Sequence, residues 1–178
     1  MNKIDNQTFF NEHESPKWET APIVVAWKFT SADNLGALIR VCDNFGVKQV
    51  FFVGNELDYK LSRIKRNATT AFKKVEWSFI SENQIWENLP KETLKIAVDT
   101  TSESVAINDF DFKKYKNEMC LFFGNETIGL EDGVVKKCDA SVHIPMIGNS
   151  FSMNVVQAAS VTLYEVVRQL ILTEKNLN

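Results

Sequence analysis

Apolar residues recur along this chain in two periods. Short continuous runs at 23–27, 49–53, 75–79, 94–98, 119–123 and 141–144 are rich in β-branched and aromatic residues and predict strands. Between them the period lengthens. Leu35, Leu38, Ile39, Cys42 and Phe45 fall at i, i+3, i+4, i+7 and i+10, one face of a helix that Gly46 closes. Ser81 followed by Gln84 has the spacing of a capping box ahead of Ile85, Trp86 and Leu89. Strands that are continuously apolar and alternate with helices predict an α/β fold with a mostly parallel sheet flanked by helices.

The last helix, expected over about 154–172, is apolar nearly all round: Val155, Val156, Ala158, Ala159, Val161, Leu163, Tyr164, Val166, Val167, Leu170 and Ile171 exceed one stripe. Such a helix is buried on more than one side, and a second subunit is a natural cover. Residues 1–20 are polar apart from Phe9, Phe10 and Trp18, and read as an N-terminal extension that docks on a domain formed by residues 21–178. A chain of 178 residues suffices for one domain with a sizeable core.

Composition removes several function classes. The seven glycines are never closer than four positions, so no G-x-G-x-x-G loop exists. Gly124 and Gly129 have Walker-like spacing, but Leu130 stands where a phosphate-binding lysine is required. His13 and His143 are far apart, and Cys42, Cys120 and Cys138 show no C-x-x-C spacing, so no metal site is expected. The cysteines read as buried thiols of a reducing, cytoplasmic protein. Residues 140–164 carry no Asp, Glu, Lys or Arg, yet Pro145, Gly148, Asn149, Ser150, Asn154 and Gln157 within them exclude a membrane span. The start of the chain lacks the apolar stretch of a signal peptide.

Two loops carry the candidate chemistry. Phe123-Gly124-Asn125-Glu126-Thr127-Ile128-Gly129-Leu130 follows the run at 119–123, and Ile144-Pro145-Met146-Ile147-Gly148-Asn149-Ser150-Phe151-Ser152-Met153-Asn154-Val155 leads into the last helix. Loops of Gly, Asn and Ser at strand ends suggest a pocket built largely from backbone groups. With the segment from Asn34 to Val47, which contains Gly36, Arg40 and Phe45-Gly46, these loops resemble in order and spacing the three motifs of the SpoU–TrmH branch of the SPOUT RNA methyltransferases, across residues 22–170. One departure is Ser152-Met153-Asn154-Val155-Val156, where the family usually reads Ser-Leu-Asn-Val-Ser.

The resemblance implies a C-terminal deep trefoil knot, a homodimer and S-adenosylmethionine as cofactor. It also implies methylation of an RNA ribose 2′-oxygen, with tRNA favoured over rRNA. Residue by residue, it places Thr100, Gly124, Ile144, Met146 and Met153 around the cofactor, and Arg40, Asn34, Glu126, Ser152 and Asn154 at the catalytic centre. Arg40 is expected to bind phosphate and stabilise developing alkoxide charge, since an always-charged guanidinium makes a poor literal base. Asn34 and Asn154 are also good helix caps, and Glu126 is expected to brace its loop and the Arg40 region.

The net charge of −3 and a pI near 5.5 do not suit a generic nucleic-acid binder. Locally, however, Lys60, Arg63, Lys65, Arg66, Lys73 and Lys74 form a run with no acidic residue among them. A charge run is commonly just a solvated face; after the second strand of such a domain it is a candidate RNA contact. A non-catalytic RNA-binding protein that kept the fold is the alternative, against which the retained Asn34, Arg40, Glu126, Ser152 and Asn154 speak. A small-molecule methyltransferase would leave the basic stretch without a purpose.

Overall fold

Seven strands form one wholly parallel sheet in a computed structural model that describes Asp5, Thr8, Phe9, residues 17–115 and residues 118–172. The strands are β1 (Ile23–Trp27), β2 (Gln49–Val53), β3 (Trp77–Ile80), β4 (Leu94–Val98), β5 (Val105–Ala106), β6 (Met119–Phe123) and β7 (Ala140–His143). Their order across the sheet is β3-β2-β1-β6-β4-β7-β5. Within residues 17–115 and 118–172 the α-helices are α1 (Ala32–Asn44), α2 (Leu61–Ala68), α3 (Glu82–Asn88), α4 (Asp132–Val135) and α5 (Val155–Val167).

The continuous apolar runs have a direct cause: both faces of the sheet are covered, so strands carry apolar residues at both parities. Val24, Ala26, Val50, Phe52, Leu121 and Phe123 turn to the core shared with Leu35, Leu38, Ile39, Ile64, Ala159 and Leu163 of α1, α2 and α5. Ile23, Val25, Trp27, Phe51, Val53, Cys120 and Phe122 turn to the opposite core, closed by Ile85 of α3 and Val134 of α4. Trp86 stacks on Phe122 there at 5.3 Å between centroids.

The helix ends follow their sequence signals. Ser81 and Gln84 form the expected capping box, and Gly46 takes φ +62 just beyond α1. Against Gly46 lies Trp18, whose Nε1 donates to Phe45 O at 2.7 Å. Gly36 lets α1 meet α2 closely, because a Cβ there would overlap Ile64 O and lie 2.8 Å from Asn67 Cβ.

Three boundaries differ from expectation. The strand expected at 75–79 is Trp77–Ile80, because a 3₁₀ turn over Thr69–Lys73 continues into Val75, whose N–H donates to Ala71 O. The strand expected at 141–144 is Ala140–His143, shifted by one residue. The long final helix is regular only over Val155–Val167 and ends in a π turn, Arg168–Leu172. The two-residue β5 had no apolar run to announce it. Phe10 and His13 lie outside the described residues.

The loops that follow β1 and β6 leave adjacent strands where the strand order changes direction. In open parallel sheets this switch point, at the carboxyl ends of the strands, is where ligands bind.

Candidate active site

The loop after β6 is folded on itself. Asn125 and Gly129 exchange backbone hydrogen bonds at 3.0 and 2.9 Å, and Asn125 Oδ1 accepts from the N–H groups of Thr127 and Ile128. Gly129 has φ +69. A Cβ on Gly124 would overlap the Gly129–Leu130 peptide, with Gly129 O only 2.6 Å away. The glycine expected to admit a ligand thus first admits the loop's own backbone.

Two carboxylates and an amide lock this loop in place. Asp99, the first residue past β4, accepts from Leu130 N at 2.6 Å and from Thr100 N at 2.7 Å. Asn125 Nδ2 donates to Lys28 O at 2.6 Å. Glu126 reaches the amino end of α1: Oε2 accepts from Thr30 N at 2.8 Å and Thr30 Oγ1 at 3.0 Å, while Oε1 accepts from Ser31 N at 3.1 Å and Asn34 Nδ2 at 2.8 Å. Partial burial pushes this carboxyl up. The hydrogen bonds from Asn34 and from backbone N–H groups outweigh that and hold it below the usual glutamate value. A carboxylate so satisfied is a brace and a poor proton acceptor.

The network continues into the third loop. Asn34 Oδ1 accepts from Asn154 Nδ2 at 3.4 Å, and Asn154 Oδ1 caps α5 by accepting from Val156 N and Gln157 N. Glu126, Asn34 and Asn154 therefore tie the three sequence motifs together. Asn154 caps its helix as expected. Asn34 does not: Ser31 is the cap of α1, and the Asn34 side chain serves the network instead.

Between the ends of β4, β6 and β7 and the start of α5 lies a cavity of about 300 Å³. The residues expected around a cofactor, Thr100, Gly124, Ile144, Met146 and Met153, all line it, as do Glu126 and Ser152. His143, Phe151 and Ala158 line it too and were not expected. Asp99 lines it as well, as the first polar residue after the run at 94–98. His143 is oriented from behind. Ser104 Oγ donates to Thr101 O at 2.8 Å and lies 3.0 Å from His143 Nδ1, a contact that fixes the ring.

Arg40 does not join this group. It is exposed, does not line the cavity, and lies six residues beyond Asn34, about 9 Å farther along α1. Glu126 bonds Thr30, Ser31 and Asn34 rather than Arg40, so the expected bracing of the Arg40 region is not seen. Of the basic stretch, Lys60, Arg63, Lys65 and Arg66 are all exposed at or in α2. Asp33 of α1 pairs with Arg63 at 2.6 Å and Arg66 at 3.4 Å, so a run without acids in sequence acquires one in space.

All three cysteines are free; burial raises the Cys42 and Cys120 thiols, and burial with Asp139 raises Cys138 to about 12. Among the described residues no cluster of His, Cys, Asp or Glu is suited to hold a metal, and no helix is long and apolar enough to cross a membrane.

A doubly covered parallel sheet with its cavity at the strand ends, and three motif loops joined by one hydrogen-bond network, define a particular class of α/β protein. The sequence profile of the SpoU rRNA Methylase family matches residues 21–164, and the chain belongs to that family. It is similar to a 23S rRNA (uridine(2479)-2′-O)-methyltransferase of Streptomyces viridochromogenes, 31% identical over 80% of this chain and 50% of the relative. It is also similar to a tRNA (cytidine(34)-2′-O)-methyltransferase of Saccharophagus degradans, 32% identical over 77% of this chain and 88% of the relative. Among solved structures it resembles the Aquifex aeolicus TrmH/SpoU tRNA modifying enzyme, with TM-score 0.75, 27% identity and coverage of 90% and 80%. It resembles as well the Streptomyces viridochromogenes methyltransferase AviRb in complex with AdoMet, with TM-score 0.69, 27% identity and coverage of 86% and 59%. The chain thus spans between half and nearly nine-tenths of the curated relatives named here.

Proposed function

We propose that this protein transfers a methyl group from S-adenosylmethionine to a ribose 2′-oxygen of RNA, with tRNA the favoured substrate and rRNA the alternative. The observation that carries the proposal is the cavity itself: each of the five residues assigned to the cofactor by motif lines one space of about 300 Å³. That space fits the lower range of small-molecule sites, and its walls join apolar Ile144, Met146 and Met153 to backbone groups of the Gly124–Leu130 loop. When bound, the cofactor supplies an electrophilic methyl on a sulfonium. The chain's own task is placement, which is worth about 7–11 kcal/mol of a bimolecular barrier. Asp99 and Glu126 hold the loop that shapes the cavity. Asn154 holds the start of α5, beside which Ser152 meets the reacting ribose. Arg40 grips an RNA phosphate by its planar fork and offsets charge developing on the 2′-oxygen as its proton passes to solvent water.

A homodimer belongs to this reading. Val161 and Tyr164 of α5 are 39% and 55% exposed, an apolar face without cover in one chain. Arg40 lies off the cavity of its own chain, and a dimer is the arrangement that can return it to one. Lys60, Lys65, Arg63 and Arg66 serve as phosphate contacts, the two arginines exchanging Asp33 for RNA. The family's knot fits the topology, since β7 lies between β4 and β5 and the chain then returns through α5 across α1. A tRNA substrate is supported by the Saccharophagus relative, of which this chain spans 88%. The RNA substrate and the three free thiols support a cytoplasmic location.

The test is to map 2′-O-methylation in RNA from cells with and without the protein. One or a few ribose methyl groups should vanish without it and return on incubation with purified protein and S-adenosylmethionine. Unchanged methylation together with no binding of S-adenosylhomocysteine would overturn the reading.

A further inference from the structure

Large apolar side chains stand in solvent at the mouth of the cavity. Ile128, Met146, Ile147 and Phe151 are 68%, 38%, 103% and 98% exposed. Ile128, Met146 and Phe151 also line the cavity, so they form its rim. Every residue from 145 to 152 is exposed, and none is charged. Folding does not ask for this arrangement. A wholly exposed phenyl ring forgoes the stabilisation that burying it contributes, and the loop's Gly148, Asn149 and Ser150 are the residue types a solvated turn favours.

We propose that Phe151 is the platform on which the base of the nucleotide being methylated stacks, an assignment that rests on the RNA 2′-O-methyltransferase reading above. Phe151 precedes Ser152, so its Cα lies about 3.8 Å from that of the residue placed beside the reacting ribose. The base is joined directly to that ribose and must lie next to it. Within the cavity wall Ile144 and Met153 are half-buried and suit a deeply held cofactor, whereas Phe151 reaches the same cavity from the solvent side, where a second substrate arrives. An uncharged, apolar rim matches the face of a base and not the phosphate backbone, for which the chain has its lysines and arginines elsewhere. Unpaired bases are held in this way on aromatic side chains, and the contact tolerates any base because each has a π-face. Ile128 and Met146, on the same rim, keep water from the transfer.

The experiment compares Phe151→Ala, Phe151→Leu, Phe151→Tyr and Phe151→Trp on RNA from cells lacking the protein. Ala and Leu should lower kcat/KM for RNA by roughly 5- to 150-fold, the span of one base–aromatic stack, mainly through KM. Tyr and Trp should restore it, which a purely apolar contact does not require. Affinity for S-adenosylhomocysteine by calorimetry should change far less than kcat/KM for RNA in all four. A Leu variant as active as wild type overturns the stack. So does a variant that falls to monomers in light scattering, because Phe151 would then be covered by a second copy. If wild-type protein methylates no RNA, the enzymatic reading fails and this one with it; an active wild type indifferent to residue 151 removes only the stack.

Discussion

Removing Glu126 tests how the site is held together. Its carboxylate accepts four hydrogen bonds, two from the exposed Thr30 and two from the half-buried Ser31 N and Asn34 Nδ2. Water can replace the first two, so the loss is carried by the second pair. A hydrogen bond to a charged group contributes about 1.5–3 kcal/mol, less where water competes, and Glu126→Ala should therefore destabilise the fold by about 2–4 kcal/mol. For a chain of this size a loss of about 3 kcal/mol lowers Tm by roughly 6–12 °C. Glu126→Gln keeps one acceptor oxygen and should cost about half as much. The pH dependence has a definite sign. The folded carboxyl is held below its unfolded value, so its stabilisation is complete above about pH 4.3 and fades as pH falls through the lower folded value. Urea titrations followed by tryptophan fluorescence between pH 3.5 and 7 measure both effects, and the acid limb should flatten in the Gln variant. Because the same loop lines the cavity, S-adenosylhomocysteine should bind at least about tenfold more weakly to the Ala variant, a loss of about 1.4 kcal/mol. An Ala variant within about 0.5 kcal/mol of wild type, with an unchanged acid limb, would refute the bracing role.

Gly124→Val should abolish S-adenosylhomocysteine binding and cost stability as well, since its side chain would strike the Gly129–Leu130 peptide; calorimetry and thermal unfolding report the two effects separately. Arg40→Ala should lower methyl transfer by about 10²–10³-fold while leaving cofactor affinity unchanged, and Arg40→Lys should also be poor because an ammonium lacks the two-point grip. Near-normal turnover in either would make Arg40 a surface cation. Light scattering should show twice the 20.3 kDa chain mass, and Val161→Lys on α5 should yield monomers that have lost activity.

By itself the sequence determined what depends on near neighbours and on burial averaged along a run. Apolar segments marked β1, β2, β4 and β6 to the residue, because a strand covered on both faces carries apolar residues at both parities and few polar ones. The capping box at Ser81 and the stop at Gly46 are set by atoms within a turn, and so were legible. The motif loops named most of the cavity wall. Tertiary structure alone decided the partners. Glu126, Asn34 and Asn154 meet across 92 and 120 residues of chain, and nothing local to Asn34 reveals that its amide serves a distant carboxylate while Ser31 caps its helix. Asp33 neutralises part of a basic run from which it is some 30 residues removed. Gly124 is required for a reason visible only once Gly129 lies against it. Periodicity reports whether a position is buried; hydrogen bonds and ion pairs depend on which groups the fold brings within about 3 Å, a distance unrelated to separation along the chain.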